Sequence, residues 1–254
     1  MIDVSNFAVI TFDVPAERVL RHLPPAYQLD TFEGREGLRA FVSTTCFCNG
    51  GFRPTGLSFP RHSFSESTYR TYVSRNADKG VYFFGRYLGT RLAWSLQRPI
   101  ARHTYEADFE LSIESNVTGY LHYECTASSS WGQTYFALEA NDLPKPQEPF
   151  RSGEEMVQFL TYRPDGYFTA GSGGQGHMPV DHPPMRAFAG SLRSARFDLW
   201  MQLGVLTPED VATPHSVLVV PQVPLRLFPP RPTQHQRART RNNRGLRGRP
   251  STSG

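Results

Sequence analysis

Residues 65–73 read Ser-Glu-Ser-Thr-Tyr-Arg-Thr-Tyr-Val, and residues 80–84 read Gly-Val-Tyr-Phe-Phe. Both runs are rich in β-branched and aromatic residues, which is typical of strands within a sheet. The turn-forming residues Asp78-Lys79-Gly80 lie between them, so the sequence predicts a strand, a turn and a second strand.

A helix and an alternating strand follow this pair. Leucines recur every fourth residue from Leu88 to Leu96, which predicts a helix over residues 87–97, and Pro99 ends it. From residue 104 to residue 113 apolar and polar residues alternate, as expected of a strand with one buried face. The next run, residues 118–126, is expected to return beside it as a hairpin.

The length of the hairpin loop decides which side chains lie opposite each other. A two-residue loop would place Phe109 opposite His122, whereas a three-residue loop places Phe109 opposite Tyr123. Register follows the apolar face, so the longer loop is predicted. The other face is polar and carries Glu106, Asp108, Glu110, Tyr120, His122 and Glu124. Such a face either lines a pocket or lies in solvent, and both readings stay open.

The rest of the chain reads mainly as short strands, expected at residues 7–14, 37–48, 133–140, 216–220 and 223–228. Helices are expected at residues 15–20, 153–160, 192–203 and 207–210, and residues 49–60 read as a long loop rich in Gly and Pro. We find no internal repeat and no mid-chain linker. The sequence therefore predicts one α+β domain over residues 2–229: a β-barrel with a few short helices packed on it.

The positive charge of the chain is concentrated at its end. The whole sequence has a formal charge of +4, but Pro229 to Gly254 contains seven Arg and no Asp or Glu. Without that segment, 20 Lys and Arg stand against 23 Asp and Glu, which gives −3. Residues 230–254 hold few apolar side chains to bury, so a disordered, Arg-rich tail is predicted. The tail could hold a polyanion weakly, but an acidic body offers no continuing track for nucleic acid.

The cysteine pattern argues against a zinc site, and the hydropathy argues against a membrane-spanning segment. Cys46, Cys48 and Cys125 lack the spacing of a zinc site and are read as buried thiols. The start of the chain lacks a basic and apolar leader, and no run is long enough to span a bilayer. We therefore expect a cytoplasmic protein with no membrane partner and no cofactor, and a homo-oligomer is compatible with this reading.

The two runs quoted first resemble the YqjF-like family of uncharacterised proteins. The same resemblance extends to residues 14–30, with their Leu23-Pro24-Pro25 turn, to residues 154–160, and to Val180-Asp181-His182-Pro183-Pro184. That family is similar in fold to acetoacetate decarboxylase, so the resemblance implies an acetoacetate decarboxylase-like barrel over about residues 7–229. It implies no known reaction. The family tends to carry an aromatic residue where Met185 stands.

The resemblance also raises the question of a catalytic lysine. Acetoacetate decarboxylase forms a Schiff base through a lysine after an aromatic-proline step, and the matching step here is Arg98-Pro99. The lysine positions then fall on Ile100 and Ala101, which cannot form an imine. The only lysines are Lys79 and Lys145. Schiff-base catalysis is therefore not expected.

Five residues remain as candidate pocket residues: Glu66, Arg70, Arg98, Arg102 and His182. Glu66 matches a position where the decarboxylase relatives keep a pocket glutamate, and Arg70 shares its face of the strand. Together they could orient a small acid or carbonyl compound, or form a structural ion pair. Arg98 and Arg102 could hold a carboxylate, or lie in solvent at a helix end.

Two further patterns are weak. His177 and His182 have a spacing that could bind a metal, but prolines and the lack of a third ligand favour a structural or acid-base histidine, so no metal is predicted. The Gly-rich run at residues 171–176 lacks the Lys-Ser/Thr of a phosphate-binding loop.

Three functions compete at this point. The first is a pocket protein that binds, or acts without an imine on, a small carbonyl or carboxylic compound. The second is a non-catalytic binding module or degenerate enzyme within a larger pathway or assembly. The third, a nucleic-acid-associated protein acting through the tail, is weakened by the acidic body.

Overall fold

The computed structural model describes residues 2–52 and 62–232. Within these ranges the chain forms fourteen strands and five short helices. The strands are β1 (Ile2–Pro15), β2 (Gln28–Leu29), β3 (Thr31–Gly34), β4 (Gly37–Phe52), β5 (His62–Arg75), β6 (Asp78–Leu88), β7 (Thr104–Asn116), β8 (Gly119–Ser129), β9 (Gly132–Asp142), β10 (Asp165–Thr169), β11 (Gln175–Asp181), β12 (Phe188–Phe197), β13 (Ser216–Leu227) and β14 (Arg231–Pro232). The helices are α1 (Ala16–Leu20), α2 (Arg91–Gln97), α3 (Gly153–Thr161), α4 (Asp198–Gln202) and α5 (Pro208–Ala212). No helix in the described part is long and apolar enough to cross a membrane.

Strand pairing runs round the molecule in a closed ring. Its order is β5, β6, β7, β8, β9, β12, β13, β1 and β4, and β4 pairs with β5 again. A smaller ring branches from it, because β10 pairs with β6, β11 pairs with β10, and β11 also pairs with β13. The two rings share β13, β1, β4, β5 and β6, so these strands have protein on both faces.

Burial on both faces explains the composition of β1. Ala8, Ile10 and Phe12 point into the core of the larger ring, which draws residues from all nine of its strands around the buried Trp200. Phe7 and Val9 point the other way, into a second core that α3 covers. Both faces of the strand are therefore apolar, as strands buried on both sides require.

The first predicted hairpin has its turn two residues earlier than expected. Asn76 and Ala77 both have positive φ, at 51° and 73°, and Arg75 pairs with Asp78. Two such residues in succession form the kind of turn that matches the twist of paired strands. The predicted turn residues from Asp78 onward belong to β6 instead.

Two predicted helices are shorter than expected. The first begins at Arg91, because β6 continues to Leu88, and Thr90 Oγ1 caps it by accepting from the Ala93 amide at 3.2 Å. The helix predicted over residues 192–203 spans only α4; the residues before it form β12. Leu192 and Ala195 pack on the same core because a bulge follows Leu192. The bulge places apolar residues three apart on one face of a strand, which imitates a helical period.

The hairpin of β7 and β8 exists, but its predicted register is wrong. Phe109 lies opposite Ala127, and Tyr123 lies opposite Ile113. Both strands run further than predicted, and the chain turns at residues 117–118. The residue opposite Phe109 is therefore four positions later than predicted. Because four is an even number, the apolar face of β7 still points inward. A bulge in β8 also buries Tyr120, which was assigned to the polar face, and leaves Leu121 47% exposed.

The predicted loop over residues 49–60 and the predicted tail over residues 230–254 lie partly outside the described residues. Asn49 to Phe52 continue β4 rather than open the predicted loop, whose remainder lies outside the described residues. Arg231 and Pro232 pair with β11, two residues beyond the predicted end of the domain. Proline can end an edge strand, where its missing donor faces no partner. The predicted disordered tail lies outside the described residues from residue 233 onward.

Candidate functional site

A cavity of about 100 Å³ lies inside the smaller ring, between the shared strands and β10 and β11. Most of its wall is apolar and comes from β1, β6, β11 and β13. Its polar lining residues are Asn49, Glu66, Thr68, Arg70, Arg86, Thr161, Arg163 and His182. A small apolar cavity with a few converging polar groups is the usual form of a ligand site.

Glu66 is held by a bidentate arginine on the neighbouring strand. Arg86 donates from Nε and Nη2 to Glu66 Oε1, at 2.9 and 2.7 Å, and Asn49 Nδ2 donates to Oε2 at 3.1 Å. The two side chains are only 6% and 10% exposed. This pair is therefore neutral as a unit and its carboxylate is well satisfied, as a buried ion pair has to be.

Arg70 is buried but has no carboxylate partner among the described residues. Its Nη2 donates to the Leu160 carbonyl at 2.9 Å, while its Nε has no hydrogen-bond partner within the described chain. The guanidinium carbon lies 5.7 Å from the centre of the Phe7 ring and 5.9 Å from that of Tyr72. Arg70 is therefore a buried cation that lines the cavity and has no carboxylate to neutralise it within the described chain.

The third arginine of the cavity is already compensated. Arg163 Nη1 donates to Asp30 Oδ2 at 3.1 Å, and its Nε donates to the Phe159 carbonyl at 3.0 Å. Burial lowers the pKa of Arg163, and the charge of Asp30 opposes that shift. Because Glu66 pairs with Arg86 and Asp30 with Arg163, the charge of Arg70 is not compensated by a carboxylate within the described chain.

His182 is the remaining ionisable residue that lines the cavity. Its Nδ1 donates to the Pro183 carbonyl at 2.9 Å, since a carbonyl can only accept, and this leaves Nε2 as an acceptor. Its ring packs edge-on against Tyr162, with centroids 5.1 Å apart. Burial lowers the pKa of His182 and the charge of Arg70 lowers it further, against the opposing effects of the Pro183 hydrogen bond and Asp181. The imidazole is accordingly neutral at about pH 7.

Of the five predicted pocket residues, the structure brings three together. Glu66, Arg70 and His182 line the cavity, whereas Arg98 and Arg102 line a separate recess at the end of α2. The structural ion pair between Glu66 and Arg70, which the sequence left open as an alternative, does not form, because Glu66 pairs with Arg86. The two candidates share a face of β5 but have different neighbours across the sheet.

Sequence reasoning missed Arg86, and the reason is local. Phe83 and Arg86 line the same cavity although they are three positions apart in the strand. A register shift between Tyr69 and Arg70 on the partner strand lies opposite this part of β6. It changes the strict alternation, so a period of two assigns Arg86 to the wrong face. An arginine in an otherwise apolar strand was the one available signal.

Neither lysine lines this cavity. Lys79 Nζ donates to Asp30 Oδ1 at 2.8 Å with its side chain 57% exposed, and Lys145 lines another recess, beside Ser216. His177 is bonded to Asp165 and stacks on Tyr167 rather than meeting His182. Across residues 2–52 and 62–232 no group of three His, Cys, Asp or Glu side chains is placed to hold a metal ion.

The sequence matches the profile of one known protein family. The profile of the DUF2071 family, described as "Uncharacterized conserved protein", matches residues 2–224. The chain belongs to the DUF2071 family. The match covers the three predicted residues that meet in the cavity of this DUF2071 protein. A comparison with curated proteins finds no match.

Solved structures share the fold of this DUF2071 protein at low identity. The enduracididine biosynthesis enzyme MppR complexed with pyruvate aligns with a TM-score of 0.59 at 12% identity, over 91% of this chain and 89% of that one. Acetoacetate decarboxylase from Legionella pneumophila aligns with a TM-score of 0.54 at 12% identity, over 90% and 84%. An acetoacetate decarboxylase-like enzyme from Sphingomonas wittichii aligns with 0.54 at 11% identity, over 88% and 89%. These likenesses show an acetoacetate decarboxylase-like fold.

Proposed function

We propose that the protein binds a small carboxylic or carbonyl compound in this cavity and that Arg70 holds its carboxylate or carbonyl oxygen. The observation that carries the proposal is the uncompensated charge of Arg70. A buried cation without a carboxylate partner is costly, and the carboxylate of a bound ligand would neutralise it. We take the closed ring of strands to be the acetoacetate decarboxylase-like barrel that the sequence predicted.

The size of the cavity limits the ligand. About 100 Å³ is well below the roughly 300–1,000 Å³ of pockets that hold drug-sized ligands. A compound of a few non-hydrogen atoms, with an acid group at Arg70 and a short apolar part against β1 and β13, fits that space. MppR was solved with pyruvate, a carboxylate of this kind, which makes pyruvate and acetoacetate suitable probes.

The binding test uses the full chain and one arginine variant. Calorimetric titration with pyruvate and with acetoacetate should give saturable binding to the wild type. The Arg70→Met variant should bind about tenfold more weakly or worse, since a charge-assisted hydrogen bond contributes about 1.5–3 kcal/mol. Arg151→Met, which removes an exposed arginine elsewhere, serves as the matched control and should bind like the wild type.

The unliganded Arg70→Met variant should remain folded. Leu160 keeps a donor for its carbonyl, because the Tyr72 hydroxyl donates to it at 3.1 Å. Equal affinity of the wild type and Arg70→Met for both probes would refute the role of Arg70. No binding of either probe to the wild type would refute the ligand class.

A second experiment tests chemistry without an imine. Borohydride reduction in the presence of acetoacetate should trap no adduct on Lys79 or Lys145, because neither lines the cavity. Intact-mass and peptide-mass measurements report the outcome. A stoichiometric reduced adduct on either lysine would overturn this part of the proposal.

The alternative is a binding module without turnover. It is favoured by Glu66, whose two carboxylate oxygens both accept hydrogen bonds and are poorly placed to take a proton. The free acceptor on His182 favours catalysis instead. Following a bound probe by NMR separates the two: conversion of the probe that is lost in His182→Gln supports an enzyme, and binding without conversion supports the module.

A further inference from the structure

We infer that the recess at the end of α2 is a second binding site, one that takes the dianionic head of an organic ligand. The recess has a volume of about 560 Å³ and is lined by Trp94, Ser95, Arg98, Pro99, Arg102 and Gly171. It is separate from the cavity at Arg70, and the inference does not depend on the function proposed for that cavity.

The charge of the recess is positive and uncompensated. Arg98 and Arg102 are both exposed, and neither has an ion-pair partner among the described residues. No Asp or Glu is among the described residues that line the recess. The charge of Arg102 helps burial to lower the pKa of the neighbouring His103, which is consistent with a cation that no local carboxylate neutralises.

The walls that carry the two arginines are fixed by the backbone. The Arg98 amide donates to the Trp94 carbonyl at 2.8 Å, and the Arg102 amide donates to the Thr169 carbonyl at 2.9 Å. The Gly171 amide donates to the Ile100 carbonyl at 3.0 Å. A Cβ on Gly171 would lie only 2.2 Å from the Pro99 carbonyl oxygen, so the close approach of the two loops requires glycine there.

The Trp94 ring lies next to the Arg98 guanidinium in the recess. Trp94 Nε1 donates to the Thr104 carbonyl at 3.2 Å, which fixes the indole, and the Arg98 guanidinium carbon lies 5.3 Å from the ring centre. A guanidinium held over an aromatic ring keeps its edge donors available for a planar or tetrahedral anion. Arg98 and Arg102 therefore line one recess as two cations without a carboxylate partner among the described residues.

Two chemistries satisfy two neighbouring guanidinium groups. A phosphate monoester carries about −1.5 to −2 charges at neutral pH, and a short dicarboxylate carries two. The recess is more than five times as large as the cavity at Arg70, so the anion would be the head of a larger molecule. Phosphate and succinate are the probes that separate the two sources.

The test uses the three tryptophans of the full chain as reporters. Fluorotryptophan is incorporated, the resonances are assigned with Trp94→Phe and Trp131→Phe, and inorganic phosphate, succinate or potassium chloride at matched ionic strength is added. We expect a saturable shift of the Trp94 resonance with phosphate, with succinate or with both, and none with potassium chloride. The resonances of Trp131 and the buried Trp200 should stay in place.

Two variants locate the binding. Arg98→Ala and Arg102→Ala should each weaken it about tenfold or more, whereas Arg193→Ala, an exposed arginine on β12, should leave it unchanged. Arg70→Met should also leave it unchanged, which separates this site from the proposed pocket. Saturation by one probe alone identifies the phosphoryl or the dicarboxylate source. A Trp94 resonance that ignores both probes, or that moves equally in both arginine variants, would overturn the inference.

Discussion

At the level of single residues, two of the three arginines of the cavity have opposite surroundings. Arg86 is neutralised by Glu66, while Arg70, on the adjacent strand, has no carboxylate among the described residues. Removing the acid of a satisfied buried pair leaves an unpaired charge, which is far more costly than losing an exposed pair. This contrast predicts which acidic residues matter for stability.

The Glu66→Gln variant should lower the free energy of unfolding by about 3–5 kcal/mol, because it leaves Arg86 buried without a counter-charge. Urea denaturation measures the change. Glu139→Gln is the control, since Glu139 and Arg193 form a comparable contact at 2.7 Å on the surface and its loss should change little. Similar losses in both variants would contradict the assignment of Glu66 as a buried partner.

His182 predicts a dependence of stability on pH. Burial, and then the charge of Arg70, lower its pKa in the folded protein below the ordinary value of about 6.5. As the pH falls through about 6.5, His182 is protonated in the unfolded chain while it is still neutral in the folded protein. The free energy of unfolding is therefore highest above that pH and declines below it. His103 and His215 are shifted in the same direction, mainly by burial.

The measurement compares wild type and His182→Gln by urea denaturation between about pH 7 and about pH 5. The variant should lose less stability over this range, because one of the three depressed histidines is gone. An NMR titration that places the pKa of His182 at or above about 6.5 would show that the shift has been assigned the wrong sign.

At the level of elements, the hairpin of β7 and β8 turns where a glycine permits it. Gly119 has a φ of +138°, and a Cβ there would lie 2.3 Å from the Ala140 carbonyl oxygen on β9. A side chain at this position meets both an unfavourable backbone conformation and the neighbouring strand. The turn is thus fixed by contact with a third strand as well as by its own residues.

Gly119→Ala should therefore destabilise the protein by about 1–3 kcal/mol, which is the cost of a strained backbone conformation. Thermal or urea unfolding measures it. Gly174→Ala provides the comparison, since Gly174 lies in the turn between β10 and β11 with only the Ser172 hydroxyl at 4.0 Å. If the two substitutions cost the same, the turn is not where the structure has it.

At the level of the whole molecule, the charge of the body and that of the C-terminal segment have opposite signs. Residues 233–254 contain six Arg and no Asp or Glu, and Leu246 is their only large aliphatic residue. So little apolar area cannot offset the cost of ordering the chain, about 1–2 kcal/mol per residue. The segment is therefore expected to add nothing to the stability of the domain.

Truncation after Pro232 should leave the melting temperature unchanged and abolish any retention on heparin at low salt, since the released counterions account for such binding. Differential scanning calorimetry and a salt gradient on heparin measure the two effects. A truncated chain that melts at a lower temperature would show that the segment packs on the body. Retention that survives truncation would place the polyanion contact on the body instead.

The sequence by itself determined where most of the long strands lie, and the fold family. Alternation predicted β7, and the helix predicted over residues 153–160 is α3, where the Ser152 hydroxyl accepts from the Glu155 amide. These features depend on neighbouring residues, so a single sequence carries them. Resemblance of a few short runs sufficed for the acetoacetate decarboxylase-like fold, which the structural comparisons confirm.

Tertiary structure alone decided which side chains meet. Bulges in β6, β8 and β12 change the alternation that sequence reasoning relies on, and they bring Arg86 to the cavity and hide Tyr120 in the core. Closure of the two rings then separates Arg70 from Arg102, although both were assigned to one pocket. A strand shows which residues share a face, but the partner of a buried charge depends on strands distant in sequence, whose register only the folded chain fixes.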